Sequence, residues 1–146
     1  MHTNNLMWLN ENESKEILHR FLMDVNDDIV PRLSERVDIM KYAEKLSEHA
    51  KNLIVLSDDC VVASASIYVN TSVAFISSIA VKRCLQGNGI GKMLLQQIEI
   101  KAKESNCEKI QLKVHYDNRR AVSFYRKNSY VDKICDNNWI TMEKNI

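Results

Sequence analysis

The sequence predicts an α/β domain, α+β mixed in character, built on one mostly antiparallel mixed sheet with helices on its faces. Three observations predict it. Apolar residues switch between strand and helical spacing in the order β-α-α-β-β-β-α-β-α-β-β. The 146 residues suit one domain, 1–146, large enough to bury its own core. All three glycines of the chain, Gly87, Gly89 and Gly91, fall in one loop between a strand and a helix, where backbone must come close to something.

Each element has its own signal. Leu6 to Leu9 is an apolar run suited to an edge strand, and Asn10 to Ser14 is a turn and helix-cap cluster. Ile17, Leu18, Phe21, Leu22 and Val25 keep helical spacing until Asn26-Asp27-Asp28 breaks it. Val30-Pro31-Arg32-Leu33 reads as loop, because the only proline lacks an N–H and drives its predecessor toward extended backbone. Ser34 reads as the cap of a second helix carrying Val37, Tyr42, Leu46 and Ala50. Leu53 to Leu56 and Cys60 to Val69 form two strands around a Ser57-Asp58-Asp59 turn. In the second, Val61, Ala63, Ala65, Ile67 and Val69 alternate with polar or small residues.

Asn70-Thr71-Ser72 turns the chain into an apolar strand, Val73 to Val81, that feeds the glycine loop. A helix follows from about Gly89 to Glu104, with Ile90, Met93, Leu94, Ile98 and Ala102 at core spacing and Ser105-Asn106 as a left-handed end. Lys109 to Val114 alternates as a strand. Tyr116-Asp117-Asn118 then opens a helix with Ala121, Val122, Phe124 and Tyr125 to one side, and Tyr130 to Cys135 and Trp139 to Met142 are two closing strands.

Composition excludes several classes. Twenty basic against 19 acidic residues leave a net charge of +1, which argues against nucleic acid and anionic membrane partners. Cys60, Cys84, Cys107 and Cys135 are widely spaced, and with the four histidines they complete no zinc spacing, so no metal is expected. Met1 to Asn5 lacks a secretory pattern and no apolar run spans a bilayer. The expectation is a cytoplasmic protein with reduced thiols; a homodimer is left open.

The glycine loop carries the chemistry. A strand running into a helix N-terminus offers free N–H groups and the positive end of a helix dipole, a setting for phosphate or pyrophosphate. Lys82, Arg83 and Lys92 add charge, with no acid from Lys82 to Leu95. The P-loop pattern fails because Gly91-Lys92 is followed by Met93 and lacks the earlier glycine. The dinucleotide pattern fails because Lys92 stands where a third glycine belongs. A tight turn with no ligand would seldom need three alternate glycines.

From Gln86 the loop reads Q-x-x-G-x-G after Ile79-Ala80-Val81, and this resembles the coenzyme A pyrophosphate loop of the GNAT superfamily of N-acetyltransferases. Asn118 to Tyr130, N-R-R-A-V-S-F-Y-R-K-N-S-Y, resembles the family's second signature, N-x-x-A-x-x-F-Y-x-K-x-G-F. Two motifs in order, each at a strand-to-helix junction, are more specific than either alone. The resemblance covers Leu53 to the C-terminus by motif and order, and the N-terminal third by architecture. It departs at Ser129, where the family has glycine, and at Tyr130, so Asn128 is expected to take the left-handed position.

The resemblance implies a GNAT-like sheet of about seven strands, splayed between the fourth and fifth, with about four helices. It implies acetyl-CoA as donor, an amine acceptor, and direct transfer in a ternary complex. Backbone N–H groups of Gln86, Gly87, Asn88, Gly89, Ile90, Gly91 and Lys92 would hold the pyrophosphate, with Lys82, Arg83, Arg119, Arg120 or Arg126 at the outer phosphate. Ile79, Ala80 and Val81 would pair with the pantetheine arm and polarise the thioester carbonyl, and Asn118 would bond the arm from the other side. Tyr125 would protonate the departing thiolate, a phenol of pKa about 10 serving a thiol of about 8.5.

Other readings stay beside these. Tyr after Phe on an amphipathic helix is by itself core filler, and only the upstream motif favours catalysis. Arg119, Arg120, Arg126 and Lys127 also fit a solvated helix face. The base that deprotonates the amine is open between His115, an acid from Asp24 to Asp28, and water. The resemblance places the acceptor pocket at roughly Asp24 to Arg36. The competing function is a non-catalytic acyl-CoA-binding regulatory module; a nucleic-acid or protein interaction domain lacks a basic stripe or aromatic series.

Overall fold

The computed structural model describes residues 4–146, and the reading of Met1 to Thr3 lies outside the described residues. The strands are β1 (Asn4–Trp8), β2 (Lys51–Ser57), β3 (Cys60–Tyr68), β4 (Val73–Val81), β5 (Lys109–His115), β6 (Val131–Asp136) and β7 (Trp139–Asn145). The helices are α1 (Glu11–Val25), α2 (Ile39–His49), α3 (Ile90–Glu104) and α4 (Arg119–Lys127). The strands form one seven-stranded sheet in the order β1-β2-β3-β4-β5-β7-β6. Every pairing is antiparallel except β4 with β5.

That parallel pair is short, and its shortness makes the site. β4 meets β5 only from Val73↔Lys109 to Ile76↔Leu112, while β4 stays paired to β3 as far as Val81. Beyond Ile76 the two strands separate. A bulge marks the point of departure: Ser66 faces Ser78 and Ile67 faces Ile76, so Ser77 is the extra residue, bending the strand locally. Tyr42 of α2 pins it, donating to the Ser77 carbonyl at 3.1 Å.

Two apolar clusters hold the layers. One joins Leu18, Phe21, Leu22 and Val25 of α1 to Ala43 and Leu46 of α2 and reaches Ala80 of the sheet. The other packs Leu94, Leu95 and Ile98 of α3 against Ala65, Ile67, Ile110 and Leu112. Since both faces of β3 are covered, Val62 through Ile67 are all buried, Ser64 and Ser66 included. The expected contrast between the faces of this strand is absent for that reason.

Helix ends follow cap chemistry with two corrections. α1 has a capping box between Asn10 and Glu13, as the cap cluster predicts. α2 is capped by Asp38, whose side chain accepts from the Lys41 N–H, and not by Ser34. Ser34 lies in a separate 3-10 turn, Leu33–Glu35, held by the Asn26 side chain, which accepts from the Ser34 N–H at 2.8 Å and donates to its hydroxyl at 2.9 Å. At the end of α4 the left-handed residue is Ser129, φ 75°, while Asn128 has φ −98°. The bonds Tyr130 N–H to Tyr125 carbonyl (3.0 Å) and Ser129 N–H to Arg126 carbonyl (3.2 Å) complete a Schellman ending with serine in glycine's place. α3 ends the same way through Asn106, φ 65°, as expected.

Candidate active site

The glycine loop runs from β4 through a 3-10 turn, Arg83–Leu85, to α3. Gln86 spends its N–H on the Arg83 carbonyl at 3.3 Å and its side-chain amide on the Val81 carbonyl at 3.2 Å, so it braces the loop. From Gly87 to Lys92, by contrast, no backbone N–H finds an acceptor among the described residues; the first helical bond is Met93 N–H to Gly89 carbonyl. α1, α2 and α4 each have a side-chain cap, whereas α3 begins at Gly89 with none. Gly87 and Gly89 hold φ of 88° and 81°, and a Cβ on Gly89 would meet nothing within 4 Å. Open donors at a helix N-terminus, facing clear space, fit a pyrophosphate. Gly91 serves packing, since a Cβ there would stand 3.5 Å from the Phe124 ring.

The loop lines a cleft of about 780 Å³. Ile79, Ala80, Val81, Gln86, Gly87, Gly89, Gly91, Lys92, Asn118 and Tyr125 of the expected site line it; Asn88 and Ile90 do not, and the Ile90 side chain is buried in the core. The cations separate into two groups. Arg83, Lys92, Arg120 and Lys127 line the cleft, with an Arg120 guanidinium nitrogen 3.8 Å from the direction a Gly87 side chain would take. Arg119 and Arg126 instead face a hollow on the outer side of α4, where Arg126 is held by Asp132 at 2.6 and 3.2 Å. Lys82 lines neither.

Tyr125 lines the same cleft. It is 8 % exposed, packed edge-on against Phe124 and Tyr130, and its hydroxyl has no hydrogen-bond partner among the described residues. Burial pushes the phenol well above its ordinary pKa, so it is a proton donor at neutral pH. The stretch of β4 that β5 has released, Ile79 to Val81, lines the cleft as well, with the Val81 carbonyl taken by the Gln86 side chain. Asn118 caps α4, its Oδ1 accepting from the Ala121 N–H at 3.2 Å, which leaves the amide Nδ2 to offer.

On the α1–α2 side of the gap the structure brings together residues that sequence reasoning did not connect. His115 ends β5 opposite Trp139 of β7, the rings edge-on at 5.1 Å. Arg36 lays its guanidinium 5.0 Å from the centre of the Trp139 ring. His115 Nδ1 accepts the Asp117 N–H at 3.1 Å, so that nitrogen is not free to act as a base. Asp27 and Asp28 pair with Arg32 (3.5 Å) and Arg83 (3.9 Å). No local pattern signals Arg36, Tyr42 or Trp139, since each acquires its place through a contact far along the chain.

Open backbone donors at a glycine loop, a split parallel strand pair and a buried tyrosine line one cleft. The acetyltransferase (GNAT) family model matches residues 15–130, and the chain belongs to that family. A relative, the uncharacterized protein YdhI of Bacillus subtilis, is 42 % identical over 52 residues; the match spans 36 % of this chain and about a third (32 %) of that protein. The fold is shared with PaiA N-acetyltransferase of Thermoplasma acidophilum, solved with coenzyme A (TM-score 0.80, 18 % identity, 99 % of each chain). It is shared also with the ribosomal-protein-S18-alanine N-acetyltransferase of Escherichia coli (TM-score 0.79, 17 % identity, 99 % of this chain and 94 % of that one). Among the described residues no helix is long and apolar enough to cross a membrane.

Proposed function

We propose that the protein is an acetyl-CoA-dependent N-acetyltransferase that acts on a primary amine of a small molecule or peptide by direct attack in a ternary complex. The observation that carries this reading is Tyr125: a buried ring whose protonated hydroxyl has no partner among the described residues, lining the same cleft as an uncapped helix N-terminus. The hydroxyl is not sealed in the core, so a ligand in the cleft can bond it. The bound donor supplies an activated acetyl thioester. The N–H groups of Gly87 to Lys92, with Arg83, Arg120 and Lys92, anchor its phosphates. Ile79 to Val81 and Asn118 align its arm, and backbone N–H groups of β4 polarise the carbonyl.

Tyr125 meets the sulfur. Burial raises the phenol, but it raises a thiol in the same pocket in the same sense, so the difference between them changes less than either value. In this reading 1–146 is one N-acetyltransferase domain, and the exposed free thiols Cys60, Cys84 and Cys135 suit a reducing cytoplasm.

The decisive experiment is release of free coenzyme A thiol over a panel of aminosugars, polyamines, amino acids and peptides. Turnover with any amine supports the transferase. Stabilisation by acetyl-CoA without thiol release from any of them would leave a regulatory acyl-CoA-binding module. A melting-temperature shift with ATP or NAD and none with acetyl-CoA would sink both.

A further inference from the structure

We infer that the acceptor carries a carboxylate beside the amine it offers, and that Arg36, laid over Trp139 at the mouth of the gap between β4 and β5, is the residue that reads it. This rests on the proposed N-acetyltransferase reading and deepens it. Arg36 sits in the connection between α1 and α2, yet its guanidinium reaches across to β7. Trp139 is in register with His115, the last residue of β5, and across the gap Tyr42 is fixed to Ser77 of β4. The guanidinium therefore reaches from the α1–α2 connection to β7 at the open end of the gap, and residues 27–30 of the same connection line the cleft.

The charge pattern around it is the second argument. Arg32 is matched with Asp27, Arg83 with Asp28 and Arg126 with Asp132, whereas Arg20, Arg36, Arg119 and Arg120 have no carboxylate partner among the described residues. What sets Arg36 apart is the Trp139 ring beneath it and the field of the Tyr42 hydroxyl. A guanidinium held over an indole ring leaves N–H donors free for the two parallel hydrogen bonds that take a carboxylate. Although Arg36 is exposed as a residue, its charged end loses hydration and its pKa is lowered by burial. A bound anion would offset that cost. Lys113, two residues before His115 and so on the same face of β5, adds a second cation. The Asp117 carboxylate lies 3.8 Å from His115 Nδ1 on this side, so an amino acid brings its amine toward that acid and its carboxylate to Arg36, an arrangement that a polyamine, with no carboxylate, cannot complete.

The test uses the intact protein and two readouts. The chain has two tryptophans, so in Trp8→Phe the indole fluorescence reports Trp139 alone. With acetyl-CoA or coenzyme A present, L-amino acids should change that signal saturably, and their carboxamides should need about ten- to a hundredfold higher concentration, the loss expected for a charge-assisted bidentate contact. Arg36→Gln should erase the preference, and Arg36→Lys should retain part of it. In turnover, kcat/KM for amino acids should fall by the same factor in Arg36→Gln, through KM, while carboxamides and the KM for acetyl-CoA stay unchanged.

Equal affinity for acids and amides, a preference for polyamines, selectivity confined to phosphorylated aminosugars, or a preference that survives Arg36→Gln would each overturn the assignment. Carboxylate-selective binding without thiol release would keep it and sink the transferase reading. Turnover indifferent to the carboxylate would do the opposite.

Discussion

Gln86 donates its side-chain amide to the carbonyl of Val81, 3.2 Å away, tying the glycine loop to the last residue of the strand that lines the gap. One hydrogen bond thereby ties the strand end to the glycine loop. Gln86→Ala should cost about 1 kcal/mol of stability, the usual net worth of such a bond. Because the loop N–H groups are then less well organised, acetyl-CoA affinity should fall severalfold. Calorimetric titration beside a thermal melt checks both; unchanged affinity would show that the brace is structural only.

Gly89 gives a sharper test of the proposed phosphate site. Its φ of 81° strains any other residue, and a Cβ there points into open space. Gly89→Val should therefore lose about 1–3 kcal/mol in the free protein from backbone strain. It should also lose the stabilisation that acetyl-CoA confers, since the branched side chain occupies the anion's place. Full ligand-induced stabilisation of a folded variant would show that the loop does not hold phosphate.

The end of α4 predicts a gain. Ser129 adopts φ 75° in a Schellman ending that glycine usually completes, so Ser129→Gly should raise stability by about 1 kcal/mol. A chemical denaturation midpoint measures it. A loss instead would mean that the serine side chain contributes more than its backbone costs.

That serine also shows where the sequence stopped being legible. Asn128 is the residue type that tolerates a left-handed backbone, but its side chain donates to the Phe124 carbonyl at 2.8 Å, and the turn falls one residue later. Ser34 and Asp38 are equally good caps by type. Asn26, eight residues away, captures Ser34, so α2 waits for Asp38. By contrast β4, α3 and α4 were readable because apolar spacing and glycine placement are local properties, and residues 87–92 and Tyr125 fall on those elements and their junctions. The Arg36–Trp139 and Tyr42–Ser77 contacts join residues distant in sequence, and no window of the chain contains both partners.

Alkaline stability follows from the buried phenols. Burial raises Tyr42, Tyr125 and Tyr130 above the ordinary value of 10, Tyr130 also through its bond to Glu99. For a raised phenol the folded state keeps a proton that the unfolded chain has lost once pH exceeds 10. Stability is thus complete below that pH and declines as pH rises through and above it, by about 1.4 kcal/mol per pH unit for each group. The melting temperature should hold steady to about pH 9 and then fall steeply. Tyr125→Phe should flatten the fall by one group's share; an identical slope would mean that Tyr125 ionises as readily folded as unfolded.

Tyr125→Phe also separates the two roles open to that residue. The ring packs edge-on against Phe124 and Tyr130 and stays in the variant, while the hydroxyl removed has no partner among the described residues. Melting temperature near neutral pH and affinity for acetyl-CoA should therefore change little. If the phenol protonates the departing thiolate, kcat should drop by about a hundredfold to ten-thousandfold, or roughly 3 to 5.5 kcal/mol of transition-state stabilisation. The KM for acetyl-CoA should hold. A core-filling tyrosine predicts the reverse, an unaltered kcat with at most a small shift in stability. Measured on one preparation, kcat and melting temperature decide between them: near-wild-type turnover would take Tyr125 out of the reaction and leave the thiolate to depart with a proton from water.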